Sequence, residues 1–389
     1  MISPRPSMDD GMTDSIYLDY NATTPVAPEV ADAIEPYLRE HFGNPSSGHV
    51  YGRRTHEAVV RARTQLAQLI GAQPGEIVFT GCATEANNLA VLGVARALRD
   101  RGRHLVTSAV EHPAIAAPMA HLAAEGWEVT VLPVDETGRV DPADLVAVLR
   151  DDTVLVSVMH ANNEVGTVQP IAALAAQAHA RGVLFHTDAA QSVGKVPVEV
   201  EDLGVDLLTL AGHKFYAPKG VGALYVRSGT PLVPVLFGAG HEHGLRPGTE
   251  NVPHIVGLGA AAELARHRLP AFTERLRERR DALHRQLADG IPKLQLNGHP
   301  EHRLPNTLNL SFPGVDGRDL LDGTPQIAAS VGSACHEESE AVSGVLGAMG
   351  IDVRRARGAV RLSIGEPTSL ADIGIAATVL IDGWRTLVA

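Results

Sequence analysis

Short apolar runs, many of them β-branched, alternate with longer amphipathic segments between residues 76 and 226. Most of these runs are apolar throughout, which is typical of parallel strands that are buried on both faces. The pattern therefore predicts an α/β fold in which crossover helices cover a mostly parallel, seven-stranded sheet. The predicted strands lie at residues 77–80, 104–108, 129–132, 154–159, 183–187, 207–210 and 222–226.

The hydrophobic pattern changes after this region. A long charged helix is predicted over residues 270–287, and spaced strands follow at 307–312 and 360–364. A separate stretch of strands and helices favours a second, smaller α+β domain. The predicted parts are a large domain over residues 22–268, a small domain made of residues 15–21 and 269–389, and a flexible N-terminal extension over residues 1–14.

The composition is that of a globular protein that can bury a deep site. The 389 residues are 44 % hydrophobic and 20 % charged, close to the average of folded domains. The formal net charge is −12, and Lys and Arg are scattered, so direct nucleic-acid binding is not expected. The two cysteines cannot form a disulfide framework, and no secretory signal or membrane-spanning run is visible. We therefore expect a cytoplasmic protein without membrane contact.

Two residues with complementary chemistry follow neighbouring predicted strands. Asp188 ends one strand, and Lys214 comes shortly after the next. Both side chains are expected at one crevice, because the carboxyl ends of parallel strands border the ligand site of an α/β sheet. A lysine there can form a Schiff base with a carbonyl cofactor, and an aspartate can keep a pyridine nitrogen protonated. Taken in isolation, such a pair is more often a structural ion pair.

A turn of small residues, GCATEANN at 81–88, follows the first predicted strand and opens a helix. Backbone amides at a helix N-terminus, together with the Thr84 hydroxyl, can bind a phosphate group. Ordinary helix capping explains such a turn equally well. The turn is therefore a candidate phosphate site that needs support from other motifs.

Further motifs occur in a fixed order along the chain. They are YLDYNATTP (17–25), FGNPSS (42–47), EH (111–112), HANNEVG (160–166), HTDAAQ (186–191), GHK (212–214), RPGT (246–249), GSAC (332–335) and RLSIG (361–365). With these motifs the chain resembles the fold-type I, class V aminotransferase superfamily, and within it the cysteine desulfurases and selenocysteine lyases. The resemblance implies a pyridoxal 5′-phosphate (PLP) enzyme that converts L-cysteine to L-alanine.

The resemblance also implies roles for the matching residues. Lys214 would form the Schiff base with PLP and move the substrate α-proton, while Asp188 would pair with the ring nitrogen. Gln191 would hydrogen-bond the phenolic oxygen, and His112 would stack on the ring and act in catalysis. The other implied positions are the phosphate ligands Ala83, Thr84 and His213, Thr249 reaching the phosphate of the other subunit in a homodimer, and the substrate contacts Asn44, Asn163 and Arg361. No metal ligand is expected.

Cys335 decides the type of reaction. Small residues precede it at 330–334 and predict a loop from which one thiol can reach the substrate sulfur. A thiolate is an effective nucleophile, and the resemblance implies that Cys335 receives the sulfur as a persulfide and passes it to an acceptor protein. Outside such a motif, a single cysteine is more often a small buried apolar residue.

Two positions depart from the family pattern. Ala211 stands where relatives commonly have a phosphate-binding Ser or Thr, so one cofactor contact is missing. Cys82 stands where Gly is usual in the phosphate turn. We interpret Cys82 as a packing substitution rather than a redox site, since nothing basic adjoins it in sequence.

Three alternatives stay open at this point. A selenocysteine lyase uses the same mechanism on another substrate, and its motifs are equally similar. A class V aminotransferase or β-lyase without a cysteine nucleophile is disfavoured by Cys335. A catalytically silent subunit that only binds a sulfur-handling partner is disfavoured because Lys214, Asp188 and Arg361 are all intact.

Overall fold

The computed structural model describes residues 15–331 and 343–389. The predicted extension at 1–14 and the candidate nucleophile Cys335 lie outside the described residues.

The strands of the described residues fall into one large and two small sheets. In chain order they are β1 (Ile16–Tyr17), β2 (Ile77–Thr80), β3 (His104–Ser108), β4 (Glu128–Leu132), β5 (Thr153–Ser157), β6 (Leu184–Asp188), β7 (Leu207–Ala211), β8 (Gly222–Val226), β9 (Gln295–Asn297), β10 (Thr307–Ser311), β11 (Ile327–Ala328) and β12 (Ala359–Ser363).

Helices occupy most of the connections between these strands. They are α1 (Pro28–Arg39), α2 (Val50–Leu69), α3 (Ala83–Ala97), α4 (Pro113–Ala124), α5 (Pro142–Val148), α6 (Ile171–His179), α7 (Val200–Leu203), α8 (Val252–Gly290), α9 (Gly317–Asp322), α10 (Gly344–Ala348), α11 (Val353–Arg357) and α12 (Leu370–Val388). Among the described residues, none of these helices has the length and apolar character needed to cross a bilayer.

The large sheet confirms the predicted α/β fold. Its strand order is β2-β8-β7-β6-β5-β3-β4. The pairs from β4 through β7 are all parallel, whereas β8 runs antiparallel to both of its neighbours. Strands β3, β5 and β7 are buried at every position, as expected for parallel strands that are covered on both faces.

A second set of elements contains a three-stranded antiparallel sheet of order β12-β10-β9 and a short parallel pair, β1 with β11. Its apolar core includes Leu18 from the N-terminal segment together with Leu308, Leu362 and Leu380. The core of the large sheet is a separate set of buried residues. The predicted division at residues 268/269 stays a prediction, which these two cores support.

Helix α8 contributes to both cores. Its first half packs against α1 and α2 and places Ile255 and Leu258 in the core of the large sheet, and its second half places Leu276 and Leu283 in the second core. The sequence predicts only the second half, because Pro270 suits the first turn of a helix. That predicted start is wrong, since α8 continues through Pro270. Pro270 is exposed, so water can hydrate the carbonyl that loses its helical partner.

Candidate active site

A cavity of about 290 Å³ lies at the carboxyl edge of the large sheet, where β12 of the second sheet approaches it. Loops that follow β2, β3, β5, β6 and β7 all reach this edge, as expected for a ligand site in an α/β sheet. The lining residues are Asn21, Ala22, Cys82, Ala83, Thr84, Asn87, His112, Ala114, Met159, Ala161, Asn163, Asp188, Ala190, Gln191, Ala211, His213, Lys214 and Arg361.

Asp188 is the last residue of β6 and is only 6 % exposed. Its Oδ2 accepts a hydrogen bond from Asn87 Nδ2 at 2.7 Å, and its Oδ1 accepts from the Ala190 backbone N–H at 2.9 Å. Both donors are neutral, so the carboxylate is held in place while its charge stays available to the cavity. A buried, uncompensated carboxylate at this position can pair with a protonated ring nitrogen.

Lys214 ends the single turn Gly212–Lys214 that follows β7. Its Nζ donates to the backbone oxygens of Asn21 at 2.6 Å and Ala22 at 2.8 Å. Burial, assisted by the nearby Arg361 guanidinium, lowers the pKa of Lys214 to about 8, against the opposing effect of Asp188. A useful fraction of the amine is therefore neutral near physiological pH, as a nucleophile or general base requires.

The turn after β2 has free backbone amides that could bind a phosphate, and we call it the phosphate cradle. Helix α3 begins at Ala83 without a side-chain cap from Cys82, so its first amides are free to bind an anion. Gly222 of β8 lies against this turn, and a Cβ there would come within 2.8 Å of the Cys82 carbonyl carbon. The close approach places the cradle directly beside the end of β7. Glu85 in the first turn is paired with Arg246 at 2.8 Å, which offsets its repulsion of an anion.

Two histidines in the cavity are neutral. His112 caps α4, and its Nδ1 accepts from the Ala114 N–H at 3.1 Å. Burial lowers the pKa of His112, and burial together with nearby lysines lowers the pKa of His213 to about 4. Because Nδ1 of His112 is an acceptor, its ring proton resides on Nε2. Neutral rings can stack on a cofactor or donate one hydrogen bond without adding charge.

Arg361 enters the cavity from β12 and is 5 % exposed. One terminal nitrogen donates to the Asn163 backbone oxygen at 3.0 Å, and the other pairs with Asp19 at 2.7 Å. Its Nε is buried and has no acceptor among the residues that the structure describes. An unpaired buried N–H costs about 1–3 kcal/mol, so this guanidinium is suited to an anionic ligand such as a carboxylate.

Glu111 is a buried acid that the sequence assigns no role. It accepts hydrogen bonds from Ser108 Oγ and the Met159 N–H through the same oxygen, Oε1. Burial, with the nearby Asp188 charge adding to it, raises the pKa of Glu111 to about 8. The carboxyl is therefore mostly protonated at neutral pH, and it adds little negative charge near Asp188.

The sequence also does not predict the contacts that buried polar groups make around Asn21. The Asn21 backbone oxygen accepts from Gln191 Nε2 at 3.0 Å as well as from Lys214. A second buried lysine, Lys195, donates to Gln191 Oε1 at 2.9 Å and to Asn21 Oδ1 at 3.3 Å. Their signal in the sequence is weak, because a single Asn or Lys within a motif does not reveal which groups it contacts.

The structure brings together most of the predicted site residues but not all. Asn44 and Thr249 are exposed and do not line the cavity, and Cys335 lies outside the described residues. Ala211 and Cys82, the two departures from the family pattern, both line the cavity. The predicted site residues that line the cavity are Ala83, Thr84, His112, Asn163, Asp188, Gln191, His213, Lys214 and Arg361.

The chain is similar in sequence and in fold to several known proteins. The profile of the family described as aminotransferase class-V matches residues 16–375. A cysteine desulfurase IscS from Dictyoglomus turgidum is 47 % identical over 384 residues, which cover 97 % of this chain and 97 % of that protein. A solved NifS-like protein aligns with a TM-score of 0.90 and 36 % identity over 96 % of this chain and 100 % of its own. The structure of SspA in complex with cysteine aligns with a TM-score of 0.81 and 36 % identity over 90 % of this chain and 98 % of its own.

Proposed function

Because the chain belongs to the aminotransferase class-V family and is a cysteine desulfurase, we propose that it binds PLP at Lys214 and passes the sulfur of L-cysteine to Cys335. The observation that carries this proposal is the meeting of Asp188, Lys214 and Arg361 in one cavity. These groups supply a ring-nitrogen partner, a near-neutral amine and a carboxylate receptor. L-Alanine is the expected carbon product.

The residues fit PLP at each of its polar groups. The free amides at the start of α3, with Thr84 and His213, suit the phosphate, and Asp188 suits the ring nitrogen. Gln191 lines the cavity with one Nε2 hydrogen that has no acceptor among the described residues, and this hydrogen suits the phenolic oxygen. PLP, when bound, supplies an electron sink for the carbon atom that loses its proton. Ala211 offers no hydroxyl to the phosphate.

The chain's own residues would orient the substrate and move its protons. Arg361, with Asn163 beside it, would hold the cysteine carboxylate. Lys214 lines the cavity, so it would take the α-proton once its amine is free and later return a proton to carbon. His112 would cover one ring face and exclude water from it. These roles agree with the lowered pKa of both His112 and Lys214, which favours the neutral form of each.

Cys335 would complete the reaction. Its thiolate would attack the substrate sulfur, the carbon–sulfur bond would break, and Cys335 would keep the sulfur as a persulfide. Each further turnover requires that sulfur to leave, so we propose an acceptor protein whose thiol removes it. In an assay, a small thiol can take the place of this protein.

The pKa of Lys214 predicts how fast the apoprotein captures PLP. Only the neutral amine attacks the cofactor aldehyde, and with a pKa of about 8 roughly a tenth of Lys214 is neutral at pH 7. The capture rate should rise about tenfold from pH 6 to pH 7 and level off above about pH 8. Stopped-flow absorbance measures this rate. Nα-acetyl-lysine serves as the control, and its rate should continue to rise beyond pH 9. Parallel profiles for protein and control would contradict the lowered pKa.

A direct assay tests the proposed function. Purified protein reconstituted with PLP should form alanine from L-cysteine in the presence of a thiol acceptor. The same assay with L-selenocysteine measures substrate preference and separates a desulfurase from a selenocysteine lyase. Alanine from selenocysteine alone would overturn the proposed substrate.

We also propose that the enzyme is a homodimer. Thr249 is exposed and does not line its own cavity, which suits a contact with the cofactor phosphate of a second subunit. Large apolar side chains, including Phe237 at 86 % and Phe42 at 77 % exposure, suit burial against another copy. Light scattering should give twice the 41.1 kDa chain mass. A fully active monomer would contradict the proposal.

A further inference from the structure

Lys195 is a buried lysine that the proposed mechanism does not use. It lies in the turns after β6, and the residue is only 4 % exposed. Among the residues that the structure describes, it forms no ion pair with a carboxylate. Burial, with Lys214 and Arg361 nearby, holds the pKa of Lys195 well below its ordinary value. A buried amine in such surroundings is costly, so its contacts need an explanation.

The orientation of the Gln191 amide follows from its partners. On one side lies the Asn21 backbone oxygen, which can only accept, so the Gln191 nitrogen must face it at 3.0 Å. Gln191 Oε1 then faces Lys195 Nζ at 2.9 Å. This assignment rests on donor and acceptor chemistry rather than on the similar shapes of oxygen and nitrogen.

The orientation of Asn21 is fixed in the same way. Its Nδ2 donates to the Asn163 backbone oxygen at 3.2 Å, so its Oδ1 faces Lys195 Nζ at 3.3 Å. Lys195 therefore donates to two oxygens, those of Gln191 and Asn21. A neutral amine has two hydrogens and an ammonium has three, so both contacts are satisfied in either protonation state.

Lys195 is itself anchored through its backbone. The Thr273 hydroxyl of α8 donates to the Lys195 carbonyl oxygen at 2.8 Å, and the Lys195 N–H donates to the Ser192 carbonyl at 3.0 Å. Lys195 lies four residues after Gln191, and these two contacts fix its backbone. As a result, its Nζ reaches Gln191 Oε1. Gln191 itself lines the cavity.

We propose that Lys195 is a positioning residue that, together with the Asn21 backbone oxygen, holds the Gln191 amide so that its nitrogen faces the phenolic oxygen of bound PLP. The proposal rests on the proposed function. Without Lys195, Gln191 Oε1 loses its donor among the described residues, and a buried acceptor without a partner is costly. The amide would then be held only through Nε2 at the Asn21 oxygen, so it could tilt away from the phenolic oxygen. A phenolate needs a well-placed donor more than a neutral phenol does, so the bound cofactor would shift toward its neutral phenol form.

A double-mutant cycle tests this proposal. Lys195→Met, Gln191→Met, the double variant and the wild type are titrated with PLP, and cofactor absorption gives the dissociation constant and the ratio of phenolate to phenol form. Lys293→Met, at an exposed lysine, is the control. We expect Lys195→Met to weaken PLP binding about tenfold, the effect of losing one well-placed hydrogen bond, and to lower the phenolate fraction.

The cycle separates a role through Gln191 from a general structural role. Lys195→Met should change neither quantity further in the Gln191→Met background, because coupled residues are not additive. Additive effects, or a Lys195→Met protein with wild-type affinity and spectrum, would overturn the proposal. If Lys195→Met does not fold, Lys195→Leu, which also removes the donor, must show the same lack of additivity. A wild type that binds no PLP or forms no alanine refutes the proposed function instead.

Discussion

Replacement of Lys214 by Ala should remove the yellow absorption of the lysine-bound cofactor and lower alanine formation at least about 10³-fold. The Lys214 amine donates to the backbone oxygens of Asn21 and Ala22, and the variant removes both the proposed attachment point for PLP and the proposed base. Apart from Lys195, the other lysines, Lys219 and Lys293, are exposed.

Absorbance after PLP addition and reduction with borohydride measure the effect. Lys219→Ala, a change five residues further along the chain, is the control and should keep both colour and turnover. A Lys214→Ala protein that still yields a reduced, covalently attached cofactor would mean that another lysine, with Lys195 the nearest buried candidate, carries PLP.

Replacement of Cys335 by Ala should leave the colour intact and lower alanine formation from L-cysteine about 10³-fold, as expected for loss of a nucleophile. The cofactor contacts proposed above come from Asp188, His112, Lys214 and the start of α3, and none of them needs this thiol. The variant should therefore bind PLP and L-cysteine normally, with the substrate sulfur still attached to carbon. Selenocysteine, with its better leaving group, should retain a slow reaction.

The chain provides a matched control, since Cys82 is its other cysteine. Cys82 lines the cavity at the phosphate cradle, and Cys82→Ala should keep near wild-type alanine formation if the residue only fills space. Assays of both variants with cysteine and a thiol acceptor measure the difference. Equal alanine from Cys335→Ala and wild type would rule out Cys335 as the nucleophile.

The large sheet and its main site residues could be predicted from the sequence because their signals are local. Buried parallel strands are short apolar runs, and Asp188 and Lys214 each lie at or just after the end of such a run. Strand direction then places both side chains at the same edge. The start of α8 could not be predicted in this way. Residues of α8 pack in both cores, so the helix tolerates the exposed Pro270 in its interior.

The hydrogen-bond network around Asn21 could not be predicted, because it joins residues far apart in sequence. Asn21, Lys195 and Arg361 meet only after the second sheet packs against the edge of the large one. A motif can mark each of them, but not the choice of Gln191 as the partner of Lys195. The sequence pattern also does not predict that Asn44 and Thr249 are exposed, since the exposure of a residue depends on how all elements of the chain pack.

The location of transferred sulfur tests the central claim most directly. The protein with bound PLP is mixed with one equivalent of ³⁵S-labelled L-cysteine without an acceptor, digested under non-reducing conditions, and its peptides are separated. We predict that label appears on the peptide that contains Cys335, in an amount equal to the alanine formed, and that a thiol releases it. Label on the Cys82 peptide, or alanine formed while Cys335 stays unlabelled, would contradict the account.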